Sequence, residues 1–263
     1  MYGFSPSLLS FWLNSIQNTL PDPVNLRRWG KHQLAKCLLC NWKSCTLQHI
    51  LCSCKVSLDQ GRISWRHDSI LSAIVKFIKE SLVENKKSKC NSEANIIKFV
   101  KKGVKPTKSM KRKRHTFWES FDDWKILWDT RQSQYQVPPC IASTSKRPDI
   151  CIFSEKGKKV LFVELTSPAE ENIQLWKIKK KEKYIDLVEE AKSNGFKACS
   201  RTMEIGARGF MSNTTLGVFS LLGCDFKKVN QIKKDLSKIA IRCSHFIWIN
   251  RENQAWSNPS RIM

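Results

Sequence analysis

The sequence predicts an α/β protein, a mixed sheet flanked by helices and preceded by further helices and a small cysteine-rich module. Three observations carry this expectation. Two short apolar runs, 149–154 and 159–166, are separated by Glu155-Lys156-Gly157-Lys158 and read as a β-hairpin. A long stretch with helical periodicity follows over about 172–193 and stops at Asn194-Gly195, a favourable helix C-terminus. Upstream, residues 37–54 concentrate cysteines around one histidine. A chain of 263 residues can bury one full core plus a satellite of this size.

Each element follows from its local pattern. In 1–30, Leu8, Leu9, Trp12, Ile16 and Leu20 form a helical stripe over 7–20, which Pro21 and Pro23 should stop. The cysteine-rich module occupies 31–60. Over 61–83, Asp68 is a candidate N-cap for an amphipathic helix with Ile70, Ile74, Phe77, Ile78 and Leu82 inward. Residues 84–115 are polar, lysine-rich and end in Lys111-Arg112-Lys113-Arg114, which reads as a basic linker. The α/β domain then covers 116–263. It holds a strand over 124–129, the hairpin, the long helix, a strand over 198–205, a turn at Gly206 and Gly209, and two helices within 210–240.

Charge narrows the partners. Lys and Arg number 46 against 23 Asp and Glu, a net charge of +23, and such an excess attracts polyanions. Nucleic acid and anionic membrane surfaces are the candidates. No stretch approaches the roughly 18 apolar residues that span a bilayer, and the N-terminus lacks the basic leader and cleavage site of a secretory signal. An intracellular setting is therefore expected. There the eleven cysteines serve as metal ligands or core residues rather than in disulfides.

Cys37, Cys40, His49 and Cys54 have the spacing C-x2-C-x8-H-x4-C. Two thiolates on a tight turn, completed by a His and a Cys, supply the tetrahedron zinc prefers. Cys45 and Cys52 are spare, and Cys52 is an alternative fourth ligand. The following Arg62-Ile63-Ser64-Trp65-Arg66-His67-Asp68 has two readings. Arg62 and Arg66 contact phosphates while Trp65 stacks on a base, or Trp65 packs the module onto the next helix. His67 alone carries no catalytic argument.

The carboxylates give the sharpest signal. Asp149, in Arg147-Pro148-Asp149, is separated by fourteen residues from Glu164, which interrupts the apolar run Val160-Leu161-Phe162-Val163 before Leu165-Thr166. A buried carboxylate must be paired or bind a metal. The hairpin brings Asp149 towards Glu164, and two such groups can hold Mg²⁺ against a phosphodiester; the alternative is a buried ion pair to Lys or Arg. On the next helix, at about 100° per residue, Lys180 falls inside the stripe Ile173, Trp176, Tyr184, Leu187, Ala191. It points towards the sheet, with Lys183 the second candidate, although both also suit a solvated face. Glu204, at a strand end, either touches the metal or anchors Arg208.

These residues together resemble a known family. The C-x2-C-x8-H-x4-C module with Trp65-Arg66-His67-Asp68 resembles the zinc knuckle that follows the reverse transcriptase of non-LTR retrotransposons. Arg147-Pro148-Asp149-x14-Glu164 resembles the (K/R)-P-D-x12–14-(D/E) signature of their restriction-like endonuclease, of the PD-(D/E)xK fold. Arg208-Gly209-Phe210 and Trp248, Arg251 and Trp256 are similar to the same C-terminal region. The resemblance implies a restriction-endonuclease-like core, structural Zn²⁺ on the knuckle and catalytic Mg²⁺ on Asp149 and Glu164. It also implies a nick in target DNA that exposes a 3′ hydroxyl for target-primed reverse transcription, with DNA and possible element RNA as partners and no membrane. Thr166 stands where the wider pattern has lysine. Lys180-Lys181-Glu182-Lys183-Tyr184 fits relatives in which that lysine moves to the following helix. Arg147 and the run 111–114 are candidate DNA contacts, and the run is equally a nuclear-import signal. The polymerase palm is absent from the sequence, so the resemblance is to the tail of such an open reading frame, active or retained as a catalytically silent, zinc-dependent nucleic-acid-binding module.

Overall fold

A computed structural model describes residues 3–92, 117–118, 121–131, 133–257 and 259. The basic run 111–114 lies outside the described residues, as does most of the expected linker. Helix α1 (Pro6–Ile16) starts on a Ser5 cap with proline at its first position, where a missing N–H costs nothing. It ends before Leu20 because Asn18 turns left-handed, at φ 54°. Pro23 does not stop this helix. It opens the next, α2 (Pro23–Arg28), capped by Asp22. Asp22 also accepts from the Leu47 amide at 2.9 Å, which fastens α2 to the cysteine-rich module.

A single π turn (His49–Ser53) and the short α3 (Lys55–Asp59) lead to Gly61. Gly61 has φ +76°, and a Cβ there would strike the Arg131 guanidinium at 1.4 Å. Helix α4 (Arg62–Ser92) begins directly after it, six residues earlier than the expected Asp68 cap. Asp68 lies inside the helix, and its carboxylate binds the His67 ring and the Arg131 amide rather than first-turn amides. The helix also runs through 84–92, the first part of the expected linker.

Four strands form one mixed sheet in the order β1 (Lys125–Trp128), β2 (Ile150–Ser154), β3 (Lys159–Thr166), β4 (Lys197–Glu204). The first three are antiparallel neighbours and β4 is parallel to β3. The expected hairpin is present, with Ile150 opposite Val163 and Ser154 opposite Lys159. After a 3₁₀ turn (Glu170–Asn172), the crossover from β3 to β4 contains two helices, not the one expected. They are α5 (Ile173–Lys183) and α6 (Ile185–Ser193), broken at Tyr184 (φ −111°, ψ 13°). Helices α7 (Asn213–Leu221) and α8 (Phe226–Ile249) complete the chain, α8 running well past the expected end.

Both faces of β3 are covered, which explains its unbroken apolar run. Ile150, Ile152, Leu161, Val163 and Leu165 pack with Ile70, Leu71, Ile74 and Ile78 of α4 and Ile232, Leu236 and Ala240 of α8. Cys151, Phe153, Val160 and Phe162 pack with Tyr184 and with Leu187 and Ala191 of α6. Helix α4 is thus a layer of the main core rather than a separate segment. The cysteine-rich module shares a second cluster with Leu8 and Phe11 of α1 and Ile247 and Trp248 of α8. No described helix is long and apolar enough to cross a membrane.

Candidate metal site and carboxylate centre

The Cys/His site is assembled by two tight turns. Asn41, left-handed at φ 58°, lets its amide return to the Cys37 carbonyl while the Cys37 amide binds Trp42. This turn holds Cys37 and Cys40 on one side. The π turn places Cys54 one widened turn beyond His49, its amide donating to the His49 carbonyl at 2.8 Å. The ligand atoms of Cys37, Cys40, His49 and Cys54 all lie within 4.8 Å of one another. Cys37 Sγ is 3.9 Å from Cys54 Sγ, and Cys40 Sγ is 3.3 Å from His49 Nε2. A tetrahedron with Zn–S near 2.3 Å and Zn–N near 2.0 Å has edges of about 3.8 and about 3.5 Å. The four residues therefore fit zinc, and Cys54, not Cys52, completes the set.

Electrostatics agree with the geometry. Burial lowers the His49 pKa and keeps the imidazole neutral. Burial and the neighbouring sulfurs push Cys40 up to about 11, a repulsion that a divalent cation relieves. Three thiolates on Zn²⁺ would leave one net negative charge beside Arg62. Burial lowers the pKa of Arg62, while Cys54 and Cys37 raise it.

Arg62 and Arg66 correct the expectation of phosphate contacts. Both are fully buried. Arg62 donates to Gln60 Oε1 and to the Asn250 and Asn253 carbonyls and lies 4.9 Å over the Trp256 ring. Arg66 binds Leu51, Cys52, Ser167 and Ser244. Trp65 packs 5.6 Å from both Phe246 and Trp256. The segment Arg62–Arg66 is an internal brace because α4 starts at Arg62 and turns these side chains inward.

The second centre lies where β2 starts and β3 ends. Asp149 directly precedes β2, and the hairpin register sets it across from Glu164. The Asp149 amide donates to Glu164 Oε2 at 3.3 Å, and the Leu165 amide donates to Asp149 Oδ2 at 2.6 Å. Lys180 reaches across from α5 and ion-pairs with Glu164 Oε1, while Lys183 Nζ stands 3.9 Å from the same oxygen. Glu164 thus has the buried ion pair that was the alternative expectation for it, with Asp149 beside it across the hairpin. Lys180 is the nearer lysine. Of its expected stripe, Ile173, Tyr184, Leu187 and Ala191 are buried, but Trp176 is exposed.

Sequence reasoning missed four neighbours. The Tyr184 hydroxyl donates to Glu164 Oε2 at 2.7 Å, and burial followed by the Glu164 charge raises its pKa, so it remains a donor. The sequence placed it only in the helical stripe and in the Lys180–Tyr184 run, with no contact to Glu164 assigned. His67 Nε2 is 3.5 Å from Asp149 Oδ2, and Nδ1 is 3.1 Å from Asp68 Oδ1. Burial alone would lower the His67 pKa, but hydrogen bonds to Asp149 and Asp68 push it up to about 10. Asp129 is raised by burial and by Asp149 and Asp68, against the lowering effect of Arg147. Arg147 is half-buried, its Nε 3.6 Å from Asp129 Oδ2. Nothing local in the sequence links His67, Asp68 or Asp129 to Asp149. They line with it an open cleft of about 410 Å³, together with Ser64, Arg131 and Ser167.

Glu204 does not anchor Arg208, and its Oε1 is buried without a hydrogen-bond partner among the described residues. The residue is buried and accepts from Ser212 Oγ and, at 2.7 Å, from Thr214 Oγ1. Arg208 binds Glu170 and Glu171 instead. Thr166 Oγ1 is buried and has no hydrogen-bond partner among the described residues. Comparison with known proteins finds no matching family model and no matching curated protein.

Proposed function

We propose that this chain is a metal-dependent DNA endonuclease with a restriction-like core, related to the nuclease of non-LTR retrotransposons. The observation that carries the reading is the meeting of Asp149, Glu164 and Lys180, from two adjacent strands and the crossover helix, at one end of the sheet. The order of three antiparallel strands, a helical crossover and a fourth, parallel strand supports it, as does the net charge of +23.

Asp149 and Glu164 would hold Mg²⁺, which when bound neutralises phosphate charge and lowers the pKa of water. The chain's own groups do the rest. The Leu165 amide and the Tyr184 hydroxyl fix the two carboxylates. Lys180, placed beside Glu164 on the neighbouring helix, would stabilise the charge developing on the attacked phosphate. Water adds to phosphorus, the P–O3′ bond breaks, and a 3′ hydroxyl and a 5′ phosphate remain. The Cys/His module would hold structural zinc. DNA is the substrate and element RNA a further partner, in the nucleus, with the nick priming reverse transcription.

End chemistry tests this reading. A nick made by the purified chain with Mg²⁺ should be extended by a DNA polymerase without prior phosphatase treatment. A nick that needs 3′-phosphate removal first contradicts the proposed bond cleavage.

A further inference from the structure

Arg66 occupies an unusual position. A guanidinium has five N–H donors, and here all five are used inside the protein. Nη1 donates to the Leu51 carbonyl at 2.9 Å and to Ser244 Oγ at 3.2 Å. Nη2 donates to the Ser167 carbonyl at 2.9 Å and to Cys52 Sγ at 3.7 Å, and Nε to Ser167 Oγ at 3.2 Å. Leu51 and Cys52 belong to the π turn between the ligands His49 and Cys54. Ser167 follows the last residue of β3, two positions after Leu165, whose amide holds Asp149. One side chain therefore bridges the Cys/His site and the exit of the strand that bears Glu164. The next residue, His67, touches Asp149.

We propose that Arg66 is a positioning residue that couples metal occupancy of the Cys37/Cys40/His49/Cys54 site to the geometry of the Asp149–Glu164 centre. As a regulation of the proposed nuclease site, this rests in part on that reading. A lone π turn is a rare, single-turn feature, and a metal shared by His49 and Cys54 would add a second tie to the 2.8 Å hydrogen bond that joins its two ends. Without that tie the Leu51 carbonyl and Cys52 thiol move from Arg66, and a buried cation loses two partners, a loss the interior tolerates poorly. The guanidinium must then shift, and Ser167 and His67 shift with it. Lysine cannot substitute, because three donors on a flexible stem do not reproduce the fork.

The test is hydrogen exchange at the Leu165 amide and the NMR resonances of the His67 ring, measured on the full chain with no divalent ion other than zinc. Zinc loading of the wild type should slow Leu165 exchange about tenfold and move the His67 ring resonances. Arg66→Lys with zinc bound should lose both responses. Ser167→Ala, which removes one acceptor and leaves the guanidinium in place, should weaken both in the same direction and keeps the test available if Arg66→Lys does not fold. Wild-type Leu165 and His67 signals that ignore zinc, or a zinc-bound Arg66→Lys indistinguishable from wild type, overturn the coupling. A zinc response in a protein that never nicks DNA upholds the coupling and removes the nuclease reading instead.

Discussion

The Tyr184 hydroxyl donates to Glu164 Oε2 at 2.7 Å and also faces the Arg147 carbonyl oxygen at 3.0 Å. It does so from the single non-helical residue between α5 and α6. The break in the crossover helix thus coincides with the residue whose phenol secures a buried carboxylate. Tyr184→Phe should cost about 1.5–3 kcal/mol, the range for a hydrogen bond to a charged group. Urea denaturation of the two proteins measures it. A change below about 0.5 kcal/mol would mean that the bond holds nothing in place.

The two lysines should separate clearly. Lys180 pairs with a carboxylate that is only 4% exposed, while Lys183 is 3.9 Å away and itself 45% exposed. Lys180→Met should reduce the nicking rate at least about 100-fold, as expected when a group that stabilises transition-state charge is lost. Lys183→Met should reduce it less than about tenfold. Single-turnover rates with saturating Mg²⁺ make the comparison, and the reverse order would reassign the role.

Zinc content distinguishes the ligands from the spare thiols. Metal analysis of purified wild type should give one zinc per chain. Cys54→Ser should lose it and Cys52→Ser should keep it, because Cys54 Sγ lies 3.9 Å from Cys37 Sγ while Cys52 faces Arg66. Structural zinc contributes directly to folding, so Cys54→Ser should also lower the melting temperature.

His67 supplies a pH dependence in the metal-free protein. Its folded pKa of about 10 lies above the ordinary 6.5, so its contribution to stability is complete below about 6.5 and is lost as pH rises through about 10. The stability difference between wild type and His67→Gln should therefore be larger at pH 6 than at pH 10.5. A difference that grows with pH would show that the imidazole is not held as a cation by Asp149 and Asp68.

Much of the fold was legible because it rests on local patterns. The hairpin was marked by two apolar runs around a polar turn, and the Cys37/Cys40/His49/Cys54 cluster by its spacing. Asp149 and Glu164 stood out because charge in a buried strand demands a partner. What failed depended on packing at long range. Arg62 and Arg66 look like surface cations until α8 and the strand exit are known to surround them, since Asn250, Asn253 and Ser244 lie nearly two hundred residues away in sequence. His67 reaches Asp149 only because α4 crosses the sheet. Glu204 found hydroxyl partners on the loop and helix that follow it, which no spacing rule anticipates.

Arg62 tests that correction directly. Arg62→Gln removes a buried cation from two carbonyls and from the Trp256 ring. The expected outcome is a loss of about 3–5 kcal/mol in stability, the range for breaking a buried charged network. The salt dependence of DNA binding should be unchanged wherever the variant remains folded. A shallower salt slope at unchanged stability would return Arg62 to the phosphate-binding surface.

The most direct measurement of the central claim is the relaxation of supercoiled plasmid by the full chain in Mg²⁺, wild type against the Asp149→Ala/Glu164→Ala double variant. Magnesium-dependent open-circle product from the wild type, lost in the folded double variant, is the outcome expected of this centre. Equal nicking by both proteins, or none by either, would contradict it.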